Sequence, residues 1–404
     1  MGVAARRPVL IAGGGIGGLA AALALARIGW PSHITERRAA WSEAGAGIQL
    51  SPNGVAVLER LGVAAALAPE VGVPREIVVR DAQSARVLQR LPLGPWIAAR
   101  HGQPYWQVHR RDLQAALLAR VAAEPLIRVA TGFDAAFFLD DGTNVQLQAS
   151  CGATLNGVAL IGADGVFSRV RQQMFGTRAP RFSGRTAART VIPAAHIVGG
   201  GVIDIATTGV WLAPGAHVVH YPVRGGREVA LVVVRAEGWH EPGWSAPVPA
   251  GEMAGMLGQV APALAEALGP DLALGSEHDW HRWALFELEP LASWSKGRAT
   301  LLGDAAHPTL PFLAQGGSLA LEDAWTLATA IAGVANDGTI PAALAAYSQT
   351  RSARTRRVVA AARRNGRIFH LSGAAALARN AVMRLAPPER VMASYDWLYG
   401  WRPG

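Results

Sequence analysis

An α/β fold with one parallel and one antiparallel sheet is predicted by three features of the chain. Near the amino terminus a short apolar strand runs into a glycine-rich turn and then a helix, VLIAGGGIGGLAAALALARIGW (9–30). Two further apolar stretches end in acidic turns, GVALIGADGVFSRVR (157–171) and ATLLGDAAHP (299–308). Between them, from about Arg181 to Trp283, apolar and polar residues alternate with the period of two that half-buried strands require.

The bulk numbers are compatible with such a fold. The 404 residues are 50 % hydrophobic and 17 % charged, enough for two or three domains with a large core. The formal net charge is +9, nearly all of it arginine, since Lys296 is the only lysine. A basic chain draws in an anionic substrate or cofactor, or nucleic acid. Zinc-finger spacing, RNP-like sequence and basic-plus-heptad patterns are all lacking, so no nucleic-acid partner is expected. Cys151 is the only cysteine, which excludes an intramolecular disulfide and a cysteine-rich metal site, and fits a cytoplasmic protein; no metal is expected. The basic, apolar start (ARRPVLIAGGG) resembles a secretory leader, but its glycines at turn spacing argue for strand, turn and helix. No other stretch approaches the ~20 apolar residues of a membrane span.

The first glycine turn has the chemistry of a dinucleotide site. Gly13, Gly15 and Gly18 supply GxGxxG spacing between a buried strand (Val9 to Ala12) and a helix over about 17–28. The first makes the turn, the second admits a pyrophosphate, and the third lets the helix pack on the strand. Phosphates then sit on the helix N-terminus, where free N–H groups favour negative charge. A second strand, SHITERR, places Glu36 eighteen residues after Gly18, where a carboxylate holds a ribose 2′-hydroxyl. Glu36 disfavours a 2′-phosphate, which leaves FAD or NAD as the ligand.

The remaining elements follow in order. REIVVRDAQSARVLQRLPLG (75–94) has a hairpin pattern and is expected to join the antiparallel sheet. VHRRDLQAALLARV (108–121) reads as a helix on Leu113, Leu117, Leu118 and Val121, with Arg110 just before it. Segment 157–176 reads as strand, Asp164-Gly165 turn and polar helix; 299–304 as a strand ending in Asp304. HVVHYPV (217–223) and GREVALVVVRAE (226–237) read as strands, and 252–269 as an inserted helix. On the first of these strands His217 and Tyr221 share a face and His220 takes the other. The loop GDAAHPTLPFLAQGGSLALEDA (303–324) opens onto a helix, whose Glu322 and Asp323 are expected to serve its dipole; His307 reads as structural. Seven arginines between Arg351 and Arg367 read as a solvated helix face, and the aromatic end YDWLYGWRPG as a cover for a surface or a dimer interface.

In this order and at these distances the segments resemble the single-component FAD-dependent aromatic hydroxylases, from about Val9 to about Arg367. The similarity is greatest to the branch of salicylate, 3-hydroxybenzoate and 6-hydroxynicotinate hydroxylases, through GAGIQLSPN (45–53), VHRRDL, GADGVFSRVR, WLAPGAHVVHYPV (211–223) and GDAAHPTLPFLAQGGSLALEDA. The resemblance implies a Rossmann-like FAD domain of the p-hydroxybenzoate hydroxylase type (1–74, 98–180 and 284–350). It also implies an inserted antiparallel substrate sheet (75–97 and 181–283) and a helical carboxyl-terminal segment (351–404). It assigns Gly13, Gly15, Gly17 and Gly18 to the pyrophosphate and Glu36 with Arg37 to the adenosine ribose. Phe133 goes to the adenine, Gln49 to the flavin edge, and Arg110 to the ribityl or phosphate region. Asp164 belongs to a motif shared by FAD and the nicotinamide nucleotide, and Asp304 binds the ribityl chain. Pro311, Gly316 and Gly317 hold the backbone against the flavin ring. His217, as a base of near-neutral pKa, and Tyr221 would act on the substrate, in a slot lined by Trp211, Phe312 and Leu313.

The implied reaction uses NADH or NADPH as a transient co-substrate and O2, and hydroxylates a small phenolic or aromatic carboxylate through a flavin hydroperoxide. A monomer or homodimer without membrane partners is implied. Where 6-hydroxynicotinate enzymes carry histidines, Gln49 and Phe312 stand here; the glutamine of 3-hydroxybenzoate enzymes near Pro311 is absent. A same-fold flavoprotein reductase, or a non-catalytic flavin protein, is the alternative.

Overall fold

The computed structural model describes residues 6–41, 46–176, 179–197, 202–269 and 280–404. Its organising element is the strand Val9–Ala12, all four residues buried, at the heart of a six-stranded sheet. Ser32–Glu36 pairs with it on one side and Ala159–Gly162 on the other, both parallel. Ala299–Leu301 adds in parallel to Ala159–Gly162, and Ile127–Thr131 to Ser32–Glu36. Only the short edge strand Ser295–Lys296 runs antiparallel. Parallel strands bring their carboxyl ends to one edge, where the chain switches sides and ligands bind. That is why Gly13, Glu36, Asp164 and Asp304, far apart in sequence, lie around one crevice.

The second sheet has eight strands, in the order Ser245–Val248, Trp280–Glu287, Arg181–Pro193, Glu228–Ala236, Ala216–Val223, Thr208–Ala213, Glu76–Asp81 and Val87–Pro92. The hairpin expected at 75–94 joins it, but through a parallel pairing of Glu76–Asp81 with Thr208–Ala213, the one departure from antiparallel order. The outer face packs against Ala250–Val260 and Pro262–Leu268, in a cluster with Val218, Leu231, Val233, Leu257 and Leu264. The single helix expected over 252–269 breaks at Ala261 because Pro262 cannot continue the hydrogen-bond ladder. The inner face roofs the crevice.

Two expected boundaries fall inside helices. Gly94–His101 spans the 97/98 junction, and the 30-residue helix Ile340–Phe369 runs unbroken through 350/351. The arginines of this long helix are not all solvated. Arg351 is 1 % exposed and pairs with both Glu322 (2.6 Å) and Asp323 (2.6 Å). Arg354 forks onto Glu322 and also donates to the carbonyls of Trp397 and Leu398. Arg363 pairs with Glu287, whereas Arg356, Arg357, Arg364 and Arg367 face solvent. Glu322 and Asp323 therefore do not serve the dipole of their helix, Gly316–Ala332. They lie in its second turn, fully buried, and bind the long helix. His307 is structural as expected: its Nε2 meets Asp323 and its ring packs 4.9 Å from Trp294. The aromatic tail buries Leu398 and Tyr399 against the same assembly.

Removing one partner of a buried pair leaves an uncompensated charge, which costs about 3–5 kcal/mol. Arg351→Met is therefore expected to lower the unfolding free energy by about that amount in urea denaturation.

Candidate flavin and substrate site

The three glycines take distinct positions. Gly13 has φ +115°, a conformation side chains rarely adopt, and a Cβ there would lie 2.3 Å from the Ala163 carbonyl oxygen. A Cβ on Gly18 would lie 1.9 Å from the Gly13 oxygen, so the helix Ile16–Arg27 meets the strand backbone directly. A Cβ on Gly15 would meet nothing within 4 Å. That open space, at a helix start with no side-chain cap, fits a pyrophosphate. The Cβ positions of Gly17 and Gly18 are taken by Leu302 and by the Gly13 carbonyl, so both also serve packing, while they lie in the uncapped first turn of the helix.

Glu36 sits beside the turn. Its Oε2 accepts from the Gly14 N–H (3.2 Å) and its Oε1 from the Arg38 N–H. Arg37 next to it is exposed. The Phe133 N–H donates to the Glu36 carbonyl, which brings this buried ring to the ribose end. Arg110 opens the helix Arg110–Ala122 rather than preceding it, because 106–109 form a strand. Asp304 lies in a 3-10 turn just after its strand.

Arg110 and Asp304 are exposed by area, yet desolvation is the leading influence on both: it pushes the Asp304 carboxyl up and holds Arg110 down. Both facts hold for walls of a recess, open to solvent but flanked by protein. Asp164 is likewise pushed up by burial, while its Oδ2 accepts from the N–H groups of Arg169 (2.8 Å) and Val170 (3.2 Å), capping the helix Arg169–Phe175.

Pro311 starts a 3-10 turn that ends with Ala314 at φ +52°, and Gln315 leads into the helix Gly316–Ala332 without a side-chain cap. The first-turn N–H groups of Gly316 and Gly317 are thus free for a ligand. Gln315 is locked by Asn53 and Ser51, and Asn53 also donates to Glu322. Gln49 lies in the adjoining strand Gly47–Leu50 and accepts from the Tyr105 hydroxyl at 2.7 Å. These residues fit an extended dinucleotide cofactor with a flat ring at the Pro311 end.

Above that end, cross-strand register orders the inner face of the roof into rows. Ala187, Val234 and His217 form one, Arg189, Val232 and Val219 the next, and Val191, Ala230 and Tyr221 the third. His217 and Tyr221 share the face as expected, ~13 Å apart along the strand. Phe312 joins them, its ring centroid 5.5 Å from that of His217. Trp211 does not. It lies opposite Val218, not His217, so the two-residue period turns it to the outer face against His220 and Arg80. The slot is completed instead by Tyr105 and Arg189, both absent from the sequence expectation. Arg189 stacks 5.5 Å from the Trp283 ring; its Nε is buried without a hydrogen bond, and no carboxylate among the described residues pairs with it. It is desolvated, and senses Tyr221 and Arg110.

His217 is also not a solitary base of near-neutral pKa. Burial, then His370 and Arg185, hold it well below the usual histidine value. Its Nδ1 lies 2.8 Å from His370 Nε2.

Comparison with known proteins follows the same lines. The pattern defining a family described as "FAD binding domain" matches residues 6–362. A 3-hydroxybenzoate 6-hydroxylase of Polaromonas naphthalenivorans (strain CJ2) is 37 % identical over 401 residues, 98 % of this chain and 96 % of that protein. A 3-amino-4-hydroxybenzoate 2-monooxygenase of Streptomyces platensis is 35 % identical over 99 % of this chain and 97 % of its own length. Among solved structures, HpxO of Klebsiella pneumoniae, complexed with FAD and uric acid, superposes with a TM-score of 0.83 at 26 % identity, covering 97 % of this chain and 96 % of that one. A salicylate hydroxylase substrate complex gives 0.82 at 22 % identity, covering 100 % and 97 %, and shows the shared fold.

Two outcomes follow from this geometry. Gly15→Glu fills the open space with a like charge to phosphate, so the purified variant is expected to be colourless, read as loss of flavin absorbance. His220, packed against Gly209 and beside Arg80, is pushed down to about 4, mainly by burial. Because the unfolded histidine binds its proton near 6.5, this contribution is intact above that pH and is lost as pH falls toward 4. The loss is roughly 3 kcal/mol at ~1.4 kcal/mol per pH unit. Urea unfolding of His220→Phe between pH 7 and 4 is expected to show that much less decline than the parent.

Proposed function

The chain belongs to the FAD-dependent aromatic hydroxylases, and from that membership and the pocket we infer a substrate of the phenolic carboxylate class, a hydroxybenzoate or amino-hydroxybenzoate. The observation that carries this reading is Arg189. A desolvated guanidinium without an acidic partner is costly unless an anion joins it. A carboxylate on Arg189 lays its ring over Val232 and Val219, with His217 on one side and Tyr221 on the other. A lining that carries Arg189, His217, Tyr221 and Tyr105 suits one aromatic acid, not the long apolar tail that a chain reductase requires.

FAD, reduced by NADH or NADPH and reoxidised by O2, supplies the oxygen-transfer chemistry. The protein's own groups bind and orient. Gly13, Gly15, Glu36, Arg37, Phe133, Arg110, Asp164 and Asp304 hold the cofactor along the crevice. Pro311 stiffens the turn, and Gly316 with Gly317 present N–H groups to its ring, where fixed dipoles stabilise negative charge without reorganising. Phe312, Val219 and Val232 exclude water. Burial pushes the Tyr221 and Tyr105 hydroxyls well above the usual tyrosine range, so both stay protonated and donate hydrogen bonds. Hydroxylation of a phenol is favoured by its deprotonation, for which His217 is the nearest acceptor. In this reading the FAD domain holds the cofactor and the roof sheet closes over the substrate. The single cysteine favours a reducing, cytoplasmic setting for this enzyme. No described helix is long and apolar enough to cross a membrane.

FAD-loaded protein with NADH and 3-hydroxybenzoate, among a panel of aromatic acids, is expected to consume O2 with matching hydroxylated product. NADH oxidation that yields only peroxide across the panel would sink the assignment. In Arg189→Met the KM for the carboxylate is expected to rise roughly 10- to 100-fold, as loss of a charge-assisted bond of about 1.5–3 kcal/mol implies, with flavin content unchanged.

A further inference from the structure

Resting on the assignment of the pocket to a phenolic substrate, we propose that His217, His370 and Arg185 form a proton relay from the substrate hydroxyl to the half-buried flank of the protein. His370, the residue ending the long helix, positions His217 and carries its proton outward.

The geometry dictates where the protons lie. Arg185 Nε is 3.1 Å from His370 Nδ1, and His370 Nε2 is 2.8 Å from His217 Nδ1. A guanidinium has donors only. His370 Nδ1 is therefore a lone pair, its Nε2 carries the hydrogen and donates to His217 Nδ1, and the hydrogen of a neutral His217 sits on Nε2. Phe312 and Phe369 flank His217 at 5.5 and 5.4 Å. The charged groups set against the pair are Arg185 from the roof strand and Arg379 from the helix Gly373–Leu385, whose guanidinium donates to the Ile368 and Phe369 carbonyls. Among the described residues no carboxylate hydrogen-bonds either ring. An imidazolium at His217 is disfavoured from every side, so a lone histidine here would be a poor base.

A relay needs no imidazolium. It begins with His217 Nε2 unprotonated, hydrogens on Nδ1 of both rings, and Arg185 turned from His370 toward the Phe312 ring, which its guanidinium already approaches at 6.0 Å. The phenolic O–H bond breaks as its proton joins His217 Nε2. The Nδ1 proton of His217 passes to His370 Nε2, and the Nδ1 proton of His370 passes to water at its partly exposed side. Both rings are neutral before and after, no electrons change hands, and the phenolate is the only new charge within the site. Arg185 then donates to the vacated lone pair and His217 Nε2–H to the phenolate. The arrangement described here is this discharged state.

His370→Gln retains a hydrogen-bonding amide but cannot pass a proton, and His370→Ala opens the path to added imidazole. In FAD-loaded protein, 3-hydroxybenzoate binding is read from perturbation of the flavin spectrum, and its ionisation from phenolate absorbance against pH. His370→Gln is expected to bind within about 3-fold of the parent. Its ionisation midpoint should move at least about one pH unit alkaline, with a fall in kcat of roughly 10²-fold, the range of a general-base step. Imidazole is expected to restore His370→Ala in part. An unchanged midpoint and kcat in His370→Gln at equal flavin content overturns the relay.

A parent protein that fails to bind the acid overturns the pocket assignment instead. The relay is then still decided by ¹⁵N resonances of the two side chains without substrate. Both rings are expected to be neutral at pH 6, each with hydrogen on Nδ1 or Nε2 but not on both; a cationic His217 or His370 refutes it.

Discussion

The site depends on one buried ionic knot. Glu322 and Asp323, both 0 % exposed, are held by Arg351, Arg354 and His307. Asp323 also accepts from the Gly303 N–H, next to Asp304, and Glu322 from Asn53, four residues after Gln49. One cluster thus fixes the ribityl-side acid, the start of the flavin-ring helix and the strand at the ring edge relative to one another. Each carboxylate has at least two partners, which is the condition under which burying such charges is tolerable. Specificity of arrangement is what the knot contributes, since apolar residues could fill the same volume.

The roof contributes a different kind of order. Sheet register converts a sequence period of two into rows ~7 Å apart, and it assigns the cation, the imidazole and the phenol to neighbouring rows. Gly47 makes the junction possible: a Cβ there would lie 2.6 Å from both Ala230 and a Tyr221 ring carbon. The cofactor-side strand thereby touches the substrate-side residue without an intervening side chain.

Much of this was legible in the amino-acid order, for stated reasons. Strand Val9–Ala12, the Gly13 turn and Glu36 are encoded locally, so spacing alone located them. The shared face of His217 and Tyr221 followed from strand periodicity. Trp211 was out of reach of that argument, because its facing depends on how Thr208–Ala213 registers against Ala216–Val223. The packing role of Gly17 against Leu302 was not legible, because a glycine needed for packing and one needed for phosphate look alike in a string of letters. Arg189 carries no motif, and only its lack of an acid in three dimensions marks it. His370 lies 153 residues from His217, and no local pattern joins them. Arg351 and Arg354 looked solvated because their acids sit about thirty positions earlier, on another helix.

The helix Ile340–Phe369 behaves as a camshaft. At one end Arg351 and Arg354 seat it in the ionic knot; further along, Gly366 is a notch against which the Phe312 ring lies, 2.6 Å from where a Cβ would stand. At the other end it delivers His370. Each residue added or removed between these points would turn the far end by ~100° and shift it by ~1.5 Å. The length of that segment is thus itself a functional dimension, set by the two ends it must join rather than by its exposed arginines.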